Sequence, residues 1–178
     1  MVVSLLLLLL GWLHVPLVAK VAPTPAQATF ERLKTLEGSW TARSTKGWSE
    51  ELQLKVIAAG SAVLETSVDA HSGDTMASVY HMDSDRLLLT HYCVARNQPR
   101  LEATSFEHDG RDVTFTFLDA TNLPSRDRGH MDKVVFHFTD ENHFSSQWTW
   151  FENGQEQWLE LIAATRKIGR PSAAPAPQ

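Results

Sequence analysis

Near the middle of this 178-residue chain, two consecutive extended runs carry a group of side chains able to hold or move a proton: Tyr80 and His81 in the first, and His91, Tyr92 and Cys93 in the second. An imidazole within hydrogen-bond reach of a phenol or a thiol can perform acid-base or thiol chemistry. An imidazole in a cavity can also ligate haem iron, or fix a bound molecule by a hydrogen bond. Alternation along LLLTHYCV groups His91 with Leu87, Leu89 and Cys93, and Thr90 with Leu88 and Tyr92; both faces are apolar, so either fits an interior. The turn Asp83-Ser84-Asp85 leaves the loop length open and sets His91 opposite Met76 or Ala77. His81 lies about five residues along the ladder, on the order of 15 Å at ~3.3 Å per residue, so the two histidines do not form a joint metal site. The simplest alternative makes His91 a hydrogen-bonded interior residue and Cys93 a small buried hydrophobe. No residue is assigned as catalytic.

Other groups invite the same comparison. His130, His137 and His143 fall on different levels of one hairpin with no convergent carboxylate, a poor arrangement for a metal, and solvent-facing strand positions explain them equally well. Arg126-Asp127-Arg128 and Arg100 stand where a loop or rim can meet an anionic head group, or simply remain solvated. The aromatic supply is more suggestive. Phe115, Phe117, Phe144, Trp148 and Trp150, with Tyr80 or Tyr92, can line an apolar cavity with a few polar contacts or fill it. No nucleophile elbow, phosphate-binding loop, His-Glu-x-x-His or Cys-x-x-Cys is present.

These residues need a scaffold, and the chain supplies one rhythm. Residues 29–37 space Phe30, Leu33 and Leu36 along one side of a short helix that Thr29 can cap. Strand-like runs then follow at 40–44, 50–57, 61–68, 76–82, 86–94, 101–107, 112–118, 131–139, 143–151 and 156–165, separated by turn residues. Asn153-Gly154 suits a type I′ hairpin. That turn opposes Trp150 with Gln157, Trp148 with Leu159 and Ser146 with Leu161, which turns Leu159 and Leu161 inward and Glu160 outward. Asp109-Gly110 opposes Phe106 with Val113 and Thr104 with Phe115. An all-β, antiparallel up-and-down meander of about ten strands leaves two long edges unless it closes, which favours a barrel. Residues 119–129 form the longest connection and a candidate lid at one mouth.

At the N-terminus, an apolar run through Leu13 reads as an export signal, although no basic residue precedes it. The expected division is a signal at 1–28, cut after Ala28 or nearer Val18-Ala19, a barrel at 29–168, and a disordered tail at 169–178. An exported, periplasmic or extracellular protein follows, with no transmembrane segment once the signal is removed. Sixteen Lys and Arg against 21 Asp and Glu leave no basic footprint for nucleic acid. One cysteine excludes an internal disulfide, so stability must come from the core.

The short helix, the Leu36-Glu37-Gly38-Ser39-Trp40 entry to the first strand and the following meander resemble the calycin-type barrels, which include lipocalins, fatty-acid-binding proteins and nitrobindin-like haem proteins. With Tyr80-His81, His91-Tyr92-Cys93 and Asn97-Gln98-Pro99-Arg100, the chain is most similar to secreted bacterial lipocalin-like domains of unknown function. The resemblance implies that Gly38 and Trp40 close the barrel base. It implies no activity, and neither lipocalin disulfides nor a nitrobindin haem histidine can be placed. The expected role is binding of a small, mainly apolar or amphipathic molecule, possibly acidic, by Tyr80, His91, Tyr92, Arg100, Phe115, Trp148 and Trp150, with no cofactor or metal. The rivals are a barrel enzyme using His91 with Tyr80, Tyr92 or Cys93, a haem protein, and a filled barrel with a structural or interaction role.

Overall fold

Thr24 caps the first element. Its hydroxyl accepts from the Gln27 N–H while the Gln27 side chain accepts from the Thr24 N–H, and Pro25 takes the first helical position, where its missing N–H costs nothing. Helix α1 therefore spans Pro25–Thr35 and starts upstream of the expected residue 29, because the cap is Thr24 and not Thr29; Thr29 is buried. The computed structural model describes residues 22–70 and 72–167, so most of the expected signal and the expected tail lie outside the described residues.

Ten strands follow: β1 (Gly38–Ser44), β2 (Ser49–Ile57), β3 (Ala62–Asp69), β4 (Thr75–Asp83), β5 (Arg86–Tyr92), β6 (Gln98–Glu107), β7 (Asp112–Thr121), β8 (His130–Asp140), β9 (His143–Glu152) and β10 (Gln155–Arg166). Each pairs antiparallel with the next, and β1 pairs with β10 from Trp40↔Arg166 to Ser44↔Ile162, which closes the barrel and leaves no sheet edge.

Three registers differ from the sequence expectation. Asp83 pairs with Arg86 across a two-residue turn at Ser84-Asp85, with Ser84 at φ 57°, so His91 faces Ser78. The turn at Asn153-Gly154, with φ 52° and 80°, pairs Glu152 with Gln155 as expected. A bulge then skips Gln157, however, and pairs Trp150 with Trp158, Trp148 with Glu160 and Ser146 with Ile162. One extra residue reverses the facing of the rest of the strand. Glu160 is 4% exposed, whereas Leu161 is on the outer face at 39%. A second bulge at Thr104 pairs Phe115 with Ala103.

Helix α1 closes one end. Phe30, Leu33 and Leu36 enter the core, and Arg32 donates to the Gly110 carbonyl in the β6–β7 turn at 2.8 Å. Trp40, fully buried, donates from Nε1 to the Leu36 carbonyl at 2.9 Å and meets Phe144 edge-on at 4.8 Å. Arg166 stacks on Trp40 and donates to the Thr35 and Glu37 carbonyls, and a side chain on Gly38, at φ 141°, would collide with its guanidinium. Above this base, Phe115, Phe136, Phe138 and Phe144 pack ring against ring with Tyr80. The helix half of the barrel is thus filled.

Candidate functional site

The other half is lined differently. Inward positions toward the far end carry Ser44 on β1, Glu50 on β2, Glu65 and Ser67 on β3, Ser78 on β4, His91 on β5, Ser146 and Trp148 on β9 and Glu160 on β10. Strand alternation places them: Glu50 shares a face with Leu52 and Leu54, Glu65 and Ser67 with Val63, and Ser78 with Tyr80. No Lys or Arg is among the buried residues described. Glu65 keeps some accessible surface, and its surroundings disfavour its charge.

Tyr80 sits at the boundary. Its ring packs on Phe115 and Phe136, while its hydroxyl donates to Glu65 Oε2 at 2.9 Å. Ser78 Oγ lies 3.0 Å from His91 Nδ1. Hydrogen bonds thus join His91 to Ser78 and Tyr80 to Glu65, while among the described residues Nε2 of His91 has no partner, and His91 is 5% exposed. The ring rests against Trp148 at 5.0 Å, and Trp148 is paired with Glu160.

Burial governs protonation here. It raises Glu50 to about 8, helped by the charges of Glu65, Glu160 and Asp69 and opposed by a hydrogen bond from Ser67. It raises Glu65 to about 7, against the hydrogen bond from Tyr80. Glu160 is also raised by burial, against hydrogen bonds from Ser44 (2.7 Å) and Trp48 and the charge of Lys46. His91 is lowered to about 4, so its ring is neutral near pH 7. Burial pushes the Tyr80 phenol well up and the Cys93 thiol up, so neither ionises readily.

Of the expected site residues, Tyr80, His91 and Trp148 meet in this chamber. Phe115 belongs to the filled aromatic layer below it. Trp150 sits at the rim, close enough to Gly129 that a side chain there would collide with its ring. Tyr92 is 51% exposed on the outer face, as the parity of β5 requires once His91 turns inward. Arg100 also faces outward and pairs with Asp119 on β7. The remaining histidines are dispersed. His130 is fully buried against Phe117 and Phe151, with Nδ1 at the Arg128 carbonyl and Nε2 at Arg126. His137 pairs with Asp112, and His143 with Asp140. His81 opposes Leu88 on the outer face. Among the described residues, no three His, Cys, Asp or Glu side chains converge to hold a metal ion.

Two clefts lie at the end away from α1. One, of about 590 Å³, lies between the β1–β2 turn and the β3–β4 connection and is lined by Lys46, Trp48, Ser49 and Asp69. The other, of about 380 Å³, is lined by Arg96, Asn97, Arg128, Gly129 and Trp150. There Asn97 donates to the Gly129 carbonyl at 2.8 Å, while its buried Oδ1 has no protein partner. The long β7–β8 connection is clamped beside this cleft. Arg126 stacks between Phe117 and Phe151 and pairs with Asp132, so it is committed to the wall and not to the mouth. A further cleft of about 390 Å³ beneath α1 is remote from these groups, and its Arg32 is already bonded to Gly110.

Sequence reasoning missed Glu50, Glu65, Ser67, Ser78 and Glu160. The first four carry a readable signal, a polar residue at the mouth-end position of an otherwise apolar alternating face. Glu160 carries none, because the bulge that turns it inward has no sequence mark in Gln157.

No protein-family model matches the sequence, and no curated protein matches it. Among solved structures, the chain is similar to a protein of unknown function from the DUF3598 family of Nostoc punctiforme PCC 73102, with a TM-score of 0.50 and 11% identity. The match covers 76% of this chain and 49% of that one, so this chain spans about half of its neighbour's length. At that identity the likeness shows the barrel fold alone.

Proposed function

We propose that this protein is an exported binding barrel that holds a small amphipathic molecule in the chamber around His91. The observation that carries this reading is the bare Nε2 atom. A buried hydrogen-bonding group left unpaired costs about 1–3 kcal/mol, so the site is complete only when something else bonds to it. Trp148 offers an apolar face beside that imidazole. No Lys or Arg is buried beside the interior acids among the described residues, and Arg100 and Arg126 are turned away from any carboxylate in the barrel. An anionic porphyrin fits poorly for the same reason.

The hydrogen bonds of His91 with Ser78 and of Tyr80 with Glu65 support a second reading, in which Nε2 takes a proton from a bound substrate. A base whose conjugate acid titrates at about 4 is weak at neutral pH, and for that reason binding is the first reading. For export, a cut near Val18-Ala19 preserves Thr24 and the whole of α1, whereas a cut after Ala28 removes the helix's first turn and its buried Ala26.

Native mass spectrometry of the protein isolated from its own exported fraction, before and after denaturation, tests this reading. We expect a bound mass that is released on unfolding. A clean apo mass in the exported fraction, with no small molecule recovered, would contradict it.

A further inference from the structure

We infer that the cleft between the β5–β6 turn and the β7–β8 connection is a second binding site, separate from the chamber around His91, and that it takes a small carboxylic acid bearing its own hydrogen-bond donor. The cleft measures about 380 Å³, within the range of ~300–1,000 Å³ usual for small-molecule sites. Arg96 and Asn97 line it from the turn, Arg128 and Gly129 from the connection, and Trp150 and Glu152 from β9.

Asn97 is the group that asks for a donor. Its side chain is 4% exposed, and its Nδ2 donates to the Gly129 carbonyl at 2.8 Å, a bond that ties the turn to the connection. A carbonyl only accepts, so this bond fixes which way round the amide lies and makes Oδ1 an acceptor. Oδ1 is enclosed and has no partner among the described residues. An unmet buried acceptor is costly, and an N–H or O–H of a guest completes it. Glu152 adds an acceptor beside the same glycine. Its Oε1 stands 3.2 Å from where a Cβ on Gly129 would lie, and the Trp150 ring packs over that position, so only a residue without a side chain lets them come so close.

The arginines ask for an anion. Neither the Arg96 nor the Arg128 guanidinium has a partner among the described residues. Two guanidiniums against one carboxylate leave the cleft net positive, and their paired N–H groups match the geometry of a carboxylate. Arg96 is not required by the turn itself. It holds φ 65°, in the left-handed region that favours glycine, while its N–H donates to the Cys93 carbonyl at 2.9 Å. An acid without a donor leaves Asn97 Oδ1 unmet and opposes Glu152, and an amine without a carboxylate leaves the guanidiniums unmet.

Calorimetry on the full chain tests this with two matched sets of compounds: alanine, lactate, propionate and ethylamine, and phenylalanine, phenyllactate, phenylpropionate and phenethylamine. We expect the amino or hydroxy acid of at least one set to bind about tenfold or more tightly than its plain acid and its amine, a difference worth ~1.4 kcal/mol. Arg96→Gly and Arg128→Gln should each weaken that binding about tenfold. Because glycine suits the backbone at position 96, Arg96→Gly should keep or raise the thermal midpoint, which separates lost binding from lost folding. If Arg128→Gln folds poorly, Arg96→Gly decides alone. Plain acids that bind as tightly as their donor-bearing partners, no binding by any acid, or full affinity in Arg96→Gly would each overturn the inference. The chamber reading, which is tested by a bound mass, stands or falls apart from all three.

Discussion

At the scale of single residues, His91 and the buried glutamates set opposite dependences on pH. His91 is lowered from 6.5 to about 4, so the unfolded chain takes up a proton that the folded one refuses, and its contribution to stability is lost as pH falls through that interval. Glu50 and Glu65 are raised from 4.5 to about 8 and about 7, so the folded protein holds protons the unfolded chain has released. Their contribution is full below about pH 4.5 and is lost as pH rises through those values. Above about pH 6.5 only the loss remains, and we expect the ligand-free protein to lose on the order of a few kcal/mol by pH 8. Thermal unfolding across that range measures it, and a profile that Glu50→Gln leaves unchanged would contradict the assignment. His91→Leu removes the orphaned atom. Because an unsatisfied buried group is worth about 1–3 kcal/mol, we expect denaturant unfolding to show a neutral or more stable protein that no longer retains ligand. A loss beyond about 3 kcal/mol would mean the imidazole is structural.

At the scale of elements, the chamber depends on where strands slip. The two-residue turn at Ser84-Asp85 puts His91 on Ser78, and the bulge at Gln157 puts Glu160 beside Ser44. Inserting one residue between Leu159 and Glu160 should turn Glu160 outward, since a one-residue slip reverses every later side chain. We expect the insertion variant to lose ligand retention and the pH-dependence due to Glu160. Unchanged retention would show that Glu160 takes no part. The same elements explain what was legible. Ten strands and their order could be read from alternation and from turns such as Asn153-Gly154. Facing could be read only where no bulge intervened: Phe115 and Trp148 were placed inward, whereas Glu160 was placed outward. The parity of His91 and Tyr92 was undecidable because both faces of LLLTHYCV are apolar. Helix α1 was found from Phe30, Leu33 and Leu36, but its start was misplaced because Thr29, a good capping residue, sits inside it and Thr24 does the capping.

For the whole molecule, the barrel divides its work along its axis. The helix half is sealed by Trp40, Arg166 and the packed phenylalanines, and supplies the buried apolar area that holds the ring closed. The other half keeps carboxyls, hydroxyls and an imidazole in an interior that such a base can support. Closure itself was legible, because ten strands without a helix between them have no other way to remove their edges. The polar chamber was not, because it is assembled from one or two residues on each of seven strands. Nitrogen NMR of His91 tests the chamber most directly, comparing isotopically labelled protein as isolated with the same sample stripped by unfolding and refolded, and assigning the resonance by the His91→Leu variant. The account predicts that Nε2 moves on stripping while Nδ1, held by Ser78, stays in place. Identical Nε2 signals in the two samples would mean that nothing had occupied the chamber.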